Sequence, residues 1–178
     1  MNYERIPAFV PGEKGLVHAV IETPQGIRQK YAFEPRYRIM TLRATLAEGL
    51  AWPYDYGFIP QTRGEDGDPL DVLVLGDVPA MQGCLMRVRV IGAVLLKKNG
   101  IENDRLVACP APSPGTAQRA DAYREMSDLP EAMLRGIERF LVEYSAEQGH
   151  TIELLGTCSK RKATAHVRSA HARFAKKS

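Results

Sequence analysis

The chain has 178 residues, is 44% hydrophobic and carries a formal net charge of +3. This length fits one globular domain over residues 1–178, able to bury roughly two thirds of the surface of the unfolded chain. No apolar run is long enough to cross a membrane, and the first residues lack the basic and apolar segments of a signal peptide. We therefore expect a soluble, cytoplasmic protein without a membrane span.

In chain order, the first half of the sequence predicts β-strands from short apolar or alternating runs bounded by turn signals. A turn signal at residues 23–26 predicts that the first two strands pair back as a hairpin. Gly92 interrupts an alternating run and is expected at a β-bulge or barrel corner. The predicted strands are residues 16–22, 27–33, 72–75, 85–91 and 106–109.

Two helices are predicted in the last third of the chain. Residues 127–131 combine capping residues, an early proline and an acid, an apolar stripe follows up to Tyr144, and Gly149 is the natural stop. The second helix is predicted at residues 163–175, with an apolar stripe that ends at Phe174. Short strands followed by two helices predict an α+β fold, a small closed or partly open β-barrel with helices packed outside.

Cysteines and charge give two further expectations. The three cysteines, Cys84, Cys109 and Cys158, show no CxxC spacing, so we expect reduced packing residues rather than disulfides or a zinc site. The segment from residue 159 to residue 178 holds seven lysines and arginines and no acid. It lacks the interleaved aromatics typical of nucleic-acid binding, apart from Phe174, so a solvated helix face is favoured and binding to nucleic acid or a protein is the alternative.

An acidic turn, GEDGDPLDVLVLGD at residues 64–77, comes directly before a predicted strand. Gly67 permits an unusual backbone and Pro69 keeps Asp68 out of the helical region, so three aspartates can converge. Two such charges about 6 Å apart repel by roughly 3 kcal/mol at an effective dielectric near 20, unless cations or water screen them. Several oxygen ligands suit Mg²⁺, Mn²⁺ or Ca²⁺, but spacing alone leaves a metal site and a solvated turn equally supported.

A family resemblance decides between these two interpretations. The sequence DGDPLDV at residues 66–72 resembles the signature of the soluble family I inorganic pyrophosphatases. The likeness continues, in the family's order, through IETP at 21–24, KY at 30–31, WPYDYG at 52–57, NDRL at 103–106 and the helix that carries Tyr144. It implies an OB-like five-stranded β-barrel with flanking C-terminal helices, Mg²⁺ dependence with Mn²⁺ as the alternative, hydrolysis of inorganic diphosphate to two phosphates, and a homo-oligomer.

The resemblance also implies roles for individual residues. Asp68 resembles the carboxylate that receives the proton of the attacking water, and Tyr56 resembles the tyrosine beside that water. Four residues resemble the groups that hold phosphate: Lys30, Arg43, Arg105 and Tyr144. The acids that resemble or can supply metal ligands are Asp66, Asp71, Glu22 and Asp104.

The sequence departs from the family's pattern at several site positions. Lys98 and Asn103 stand where the family often has metal-binding aspartates, and Asp104 is the acid that can substitute for Asn103. Further departures are Ala32 at a position often acidic, Ser145 at one often lysine, and Trp52 at one often tyrosine. The three central aspartates are intact, so we expect activity, while the number of bound metal ions stays open.

Two other functions stay open at this stage. Lys98 and Ser145 favour a barrel that keeps the fold, catalyses little, and binds nucleic acid or a protein through its basic C-terminal segment. An apolar shelf beside Trp52 would favour the same chemistry on a larger phosphoanhydride such as a nucleotide. We expect diphosphate as the substrate and no nucleic-acid partner.

Overall fold

The computed structural model describes residues 3–112 and 123–176. Short 3-10 turns at Tyr3–Arg5 and Met126–Asp128 precede β1 and α1. The strands are β1 (Val17–Thr23), β2 (Gln29–Glu34), β3 (Ile39–Thr45), β4 (Asp55–Phe58), β5 (Asp71–Val74), β6 (Leu85–Lys98), β7 (Ile101–Glu102), β8 (Arg105–Pro110) and β9 (Ile152–Ser159). The helices are α1 (Glu131–Glu147) and α2 (Lys160–Ala175).

Five strands form a closed ring in the order β1, β4, β5, β8 and β6, because β1 pairs with both β4 and β6. All neighbours in the ring are antiparallel except β5 and β8, which run parallel. Strand β6 also pairs with β7 and β9. The predicted α+β fold, a five-stranded barrel with C-terminal helices, is confirmed.

The bulge predicted at Gly92 is present, but the strand continues through it. The register of β6 against β8 shifts between Val90 and Gly92. A side chain at Gly92 would place its Cβ 2.0 Å from Cγ of Met126 and 2.4 Å from the carbonyl oxygen of Cys158. Glycine is therefore required at this position, because the 3-10 turn and β9 both pack closely against β6 there.

The predicted hairpin between the first two strands is wrong, because β2 pairs with β3 in a separate two-stranded sheet. Both edges of β1 are already taken by β4 and β6. Side chains of β1 satisfy two amides of β2 instead. The Thr23 hydroxyl accepts a hydrogen bond from the Tyr31 amide at 3.0 Å, and the Glu22 carboxylate accepts one from the Phe33 amide at 2.7 Å.

Both predicted helices are present and pack on different parts of the core. Helix α2 buries Ala163, Val167 and Ala170 against the barrel, and α1 buries Ile137 and Leu141 in the cluster that contains Trp52. Strand β9, which separates the helices, was not predicted, because most of it is exposed. None of the helices among residues 3–112 and 123–176 has the length and apolar character needed to cross a membrane.

Asp55, at the start of β4, is a buried acid that joins two loops. The residue is 1% exposed, and its carboxylate accepts hydrogen bonds from the amides of Gln25 at 2.8 Å and Ala80 at 3.1 Å. Burial raises the pKa of Asp55 above its ordinary value of 3.8, and these two hydrogen bonds offset only part of the effect.

This raised pKa predicts a specific pH dependence of stability. The native state holds the Asp55 proton more tightly than the unfolded chain, so this stabilisation is complete below the ordinary pKa and is lost as the pH rises through the raised one. Urea unfolding at about pH 4 and about pH 7 tests this against Asp55→Asn, which does not titrate. The unmodified chain should lose stability relative to the variant at the higher pH; a constant difference would contradict the prediction.

Candidate active site

The acidic turn before β5 folds back on itself. The Asp66 carboxylate accepts a hydrogen bond from the Asp68 amide at 3.1 Å, and Gly67 between them adopts φ of 94°. The Gly64 amide donates to the Asp68 carbonyl at 2.7 Å. These bonds bring Asp66 and Asp68 towards the start of β5, where Asp71 lies.

The three aspartates line a cavity of about 520 Å³ between the barrel, the β2–β3 sheet and the end of α1. The cavity contains every site residue predicted from the sequence except Asp104. They are Glu22, Lys30, Arg43, Tyr56, Asp66, Asp68, Asp71, Arg105 and Tyr144. Another cavity, of about 600 Å³ beside the N-terminal segment and α2, contains none of them.

Asp71 and Arg105 form the central ion pair of this cavity. They begin the neighbouring parallel strands β5 and β8, and the Arg105 guanidinium lies 2.8 Å from the Asp71 carboxylate. Arg105 is only 6% exposed. Burial lowers its pKa, but nearby negative charge, chiefly that of Asp71, outweighs that effect, so the pKa is raised overall and Arg105 keeps its charge.

Lys30 is held against an aromatic wall. Its ammonium lies 3.4 Å from the Glu22 carboxylate and 4.1 Å from the centre of the Tyr56 ring. Burial lowers the pKa of Lys30, and burial raises the pKa of Glu22. The pair therefore places a buried cation at a fixed position on the cavity wall.

Tyrosine hydroxyls supply neutral donors in the cavity. Tyr56 hydrogen-bonds to Asp71, and burial raises its pKa well above 10.0. Burial raises the pKa of Tyr144 to about 12, with Asp71 adding to the effect. Both hydroxyls are thus protonated at neutral pH; Tyr56 donates its proton to Asp71, and Tyr144 can donate to an anion.

The Trp52 ring packs against Tyr56 and Tyr144 from outside the cavity. It is 1% exposed, and its ring centre lies 4.6 Å from that of Tyr56 and 5.0 Å from those of Phe140 and Tyr144. Trp52 does not line the cavity. The apolar part of the wall comes from Ala32, Phe33, Pro35 and Phe58 instead.

The carboxylates pair with bases or amides rather than with one another. Asp66 accepts a short hydrogen bond from the Asn103 amide, and Asp71 faces Arg105. Within residues 3–112 and 123–176, no three acidic, histidine or cysteine side chains are grouped closely enough to hold an ion. However, the Asn103 side-chain oxygen, next to Asp66, is buried without a hydrogen-bond partner. The carboxylates of Asp66 and Asp71, together with this unpaired Asn103 oxygen, match the oxygen ligands that a hard divalent cation prefers.

Asp104 points away from these residues. Its carboxylate accepts a hydrogen bond from the Leu96 amide at 3.1 Å and lies 3.6 Å from the His166 ring nitrogen. It lines a small neighbouring cavity with Asp66, Asp71 and Asn103. Asp104 thus lies outside the main cavity but beside Asp66 and Asp71 in the smaller one.

Several cavity residues had no predicted role, among them Phe33, Phe58, Gln148 and Lys98. Gln148 was identifiable, because it follows Tyr144 by four positions and shares its helix face. The phenylalanines were not, because β4 was not predicted and β2 was paired with the wrong strand. Lys98, at the end of β6, was noted in the sequence only as a departure from the family.

The fold and the cavity define a class of protein: a closed α+β barrel with carboxylates and cations around one polar cavity. The chain belongs to the inorganic pyrophosphatase family, whose sequence model, described as inorganic pyrophosphatase, matches residues 19–175.

Named relatives and solved structures agree with this assignment. The chain is 34% identical to the inorganic pyrophosphatase of Thermus thermophilus over 97% of its own length and 98% of the relative's. The crystal structure of the inorganic pyrophosphatase from that organism superposes with a TM-score of 0.88, at 32% identity, and covers 98% of this chain and 99% of the other. An inorganic pyrophosphatase structure from Coxiella burnetii gives a TM-score of 0.86 at 28% identity, over 95% and 99% of the two chains.

Proposed function

We propose that the chain is a metal-dependent inorganic diphosphatase that hydrolyses diphosphate to two phosphates. The observation that carries this proposal is the cavity in which three aspartates of one turn meet four cationic side chains. Relatives named inorganic pyrophosphatase that align over nearly the whole chain support it. Such a cavity suits a small, highly charged substrate, because cations bind its oxygens while carboxylates hold metal ions and accept protons.

Four groups are proposed to bind the phosphate oxygens. Arg105 is fixed by Asp71 and presents a permanent charge, and Lys30 is fixed by Glu22. Arg43 lies on β3 at the cavity mouth, where its side chain is 50% exposed and pairs with Glu34. Tyr144 adds a neutral donor from α1. Donors held in place, as Arg105 and Lys30 are, recognise phosphate with little reorganisation when it binds.

Asp68 is proposed to accept the proton of the attacking water. Burial raises the pKa of Asp68 above its ordinary value, and Asp66 and Asp71 add to this effect. A carboxylate with a raised pKa is a stronger base towards water. The Tyr56 hydroxyl donates its proton to Asp71, and we propose that its oxygen lies beside the attacking water and accepts a hydrogen bond from it.

Asp66 and Asp71 are proposed as the main metal ligands, with Glu22 and Asp104 as further acids near them. The oxygen donors favour Mg²⁺, and Mn²⁺ is the alternative. When bound, a divalent ion neutralises charge on the phosphates and lowers the pKa of water. A bound ion would compete with the Asn103 amide for Asp66 and with Arg105 for Asp71.

We further propose that the chain acts as a single domain over residues 1–178, in the cytoplasm, and as a homo-oligomer. The cytoplasm is supported by the three cysteines, which are free thiols. Self-association is supported by exposed apolar side chains on the β2–β3 sheet and the turn that joins its strands: Tyr37, Ile39 and Leu42, which are 66%, 57% and 57% exposed.

Phosphate release from inorganic diphosphate, measured with Mg²⁺, with Mn²⁺ and with a chelator, tests the proposed function. We expect turnover with Mg²⁺ that the chelator abolishes, because without a metal ion no group in the cavity lowers the pKa of the attacking water. The same assay with a nucleoside triphosphate should give slower release, since a base has no buried shelf at Trp52. No metal-dependent release from diphosphate would contradict the proposal.

The alternative function, binding through the basic C-terminal segment, receives less support. Within the described part of this segment, Arg173 pairs with Glu65 at 2.9 Å and donates to the Arg63 carbonyl. Lys177 lies outside the described residues. Salt-sensitive binding to DNA or RNA, without diphosphate turnover, would favour the alternative.

A further inference from the structure

We propose that Lys98 is a substrate-binding residue whose ammonium contacts diphosphate directly, so that part of the substrate's charge is neutralised by the chain itself. This inference rests on the proposed function and adds a group to its binding site. Lys98 is the last residue of β6, is half-buried, and lines the cavity that contains the three aspartates.

The other cations of the cavity are already paired. Lys30 faces Glu22 at 3.4 Å, Arg43 faces Glu34 at 3.0 Å, and Arg105 faces Asp71 at 2.8 Å. Within the described parts of the chain, Lys98 is the one cavity cation that forms neither an ion pair nor a hydrogen bond. Its ammonium can therefore bind an anion without breaking an existing contact.

The position of Lys98 places this charge on the side of the cavity where Asp68 lies. Lys98 and Asp68 both line this one cavity, so the two side chains border the same space. A diphosphate that reaches Asp68 thus comes within range of the ammonium. A lysine also suits this task, because its flexible stem can follow a phosphate oxygen.

Lys97 provides a matched control. It is the preceding residue of the same strand, and successive side chains of a strand point to opposite faces. Lys97 lies opposite Glu102 of β7 and Glu153 of β9, and it does not line the cavity. Replacing either lysine changes the net charge equally, but only Lys98 is placed to contact substrate.

The test is calorimetric titration of inorganic diphosphate into the full-length chain in excess chelator, so that binding is measured without metal ions. We expect Lys98→Met and Lys98→Gln to bind diphosphate about tenfold to a hundredfold more weakly than the unmodified chain, the range for losing one charged hydrogen bond. Lys97→Met should bind within about twofold of the unmodified chain. Circular dichroism verifies that each variant is folded.

Three results would overturn the inference: equal affinity in the Lys98 variants and the unmodified chain, equal weakening by Lys97→Met, or no metal-free binding by the unmodified chain. A parallel assay of diphosphate hydrolysis with Mg²⁺ separates this inference from the proposed function. If the unmodified chain hydrolyses diphosphate but any of these three results is found, the inference about Lys98 is wrong and the proposed function stands. No turnover removes the proposed function itself.

Discussion

Replacing Asp68 with asparagine should lower the turnover number for diphosphate by about a hundredfold to ten-thousandfold, the usual contribution of a general base. The amide keeps the size of the side chain but cannot accept a proton from water. The fold should persist, because the hydrogen bonds that shape the turn use the Asp68 backbone rather than its carboxylate. Steady-state phosphate release, with the thermal melting of both proteins, measures this effect.

Glu65 offers a control from the same turn. Its carboxylate does not line the cavity and pairs instead with Arg173 at 2.9 Å. Glu65→Gln removes one negative charge from the turn, as Asp68→Asn does, and should leave the turnover number nearly unchanged. If the two variants lose activity equally, or if Asp68→Asn keeps more than about a tenth of the turnover, Asp68 is not the proton acceptor.

The largest effect on stability is expected for Gly57→Ala. A Cβ at this position would lie 1.9 Å from the carbonyl oxygen of Val20 and 3.0 Å from Cα of Ile21, both in the backbone of the paired strand β1. Backbone atoms of a closed ring cannot move aside without disturbing the neighbouring strands. We expect a loss of about 3 kcal/mol or more in the free energy of unfolding, at or beyond the upper end of overpacking.

Gly136→Ala serves as the matched glycine substitution. Gly136 lies inside α1, and a Cβ there meets no other heavy atom within 4 Å. Alanine should therefore stabilise the chain by about 0.5 to 1 kcal/mol, because glycine weakens a helix interior. Urea unfolding measures both variants. A Gly57→Ala protein as stable as the unmodified chain would show that the β1–β4 contact is looser than described.

The sequence predicted those parts of the fold that depend on local pattern. The alternation in β6 and the apolar stripe of α1 are properties of consecutive residues, and both elements were found. The capping residues predicted for α1, Ser127 and Asp128, lie instead in the 3-10 turn before it, and α1 begins after Pro130 without a side-chain cap. Strand β4 was missed because it has only four residues, Asp55–Phe58, and includes a glycine. Pairing with β1 and β5 in the closed ring of strands imposes the extended conformation of β4. The partner of β2 was wrong because pairing depends on which edges of β1 are free, and residue pattern does not contain that information.

The active site likewise contains residues that the sequence predicts and contacts that only the fold explains. The motif at residues 66–72 identified the aspartates, and the structure brings them to one cavity with the predicted cations. The Asp71–Arg105 pair was not predicted, because it arises from the parallel alignment of β5 and β8. The orientation of Asp104 towards His166 likewise depends on how α2 packs beside β6. Contacts between distant segments require the fold before they can be assigned.

The two-stranded sheet of β2 and β3 lies outside the closed ring, yet it carries Lys30 and Arg43. The aspartates and Arg105 are fixed instead by the turn and by ring strands. If the proposed roles hold, a change at the half-exposed Arg43 should alter substrate affinity at little cost to the barrel, whereas a change in the turn should alter the chemical step. Natural selection can thus tune affinity and rate through separate parts of one chain.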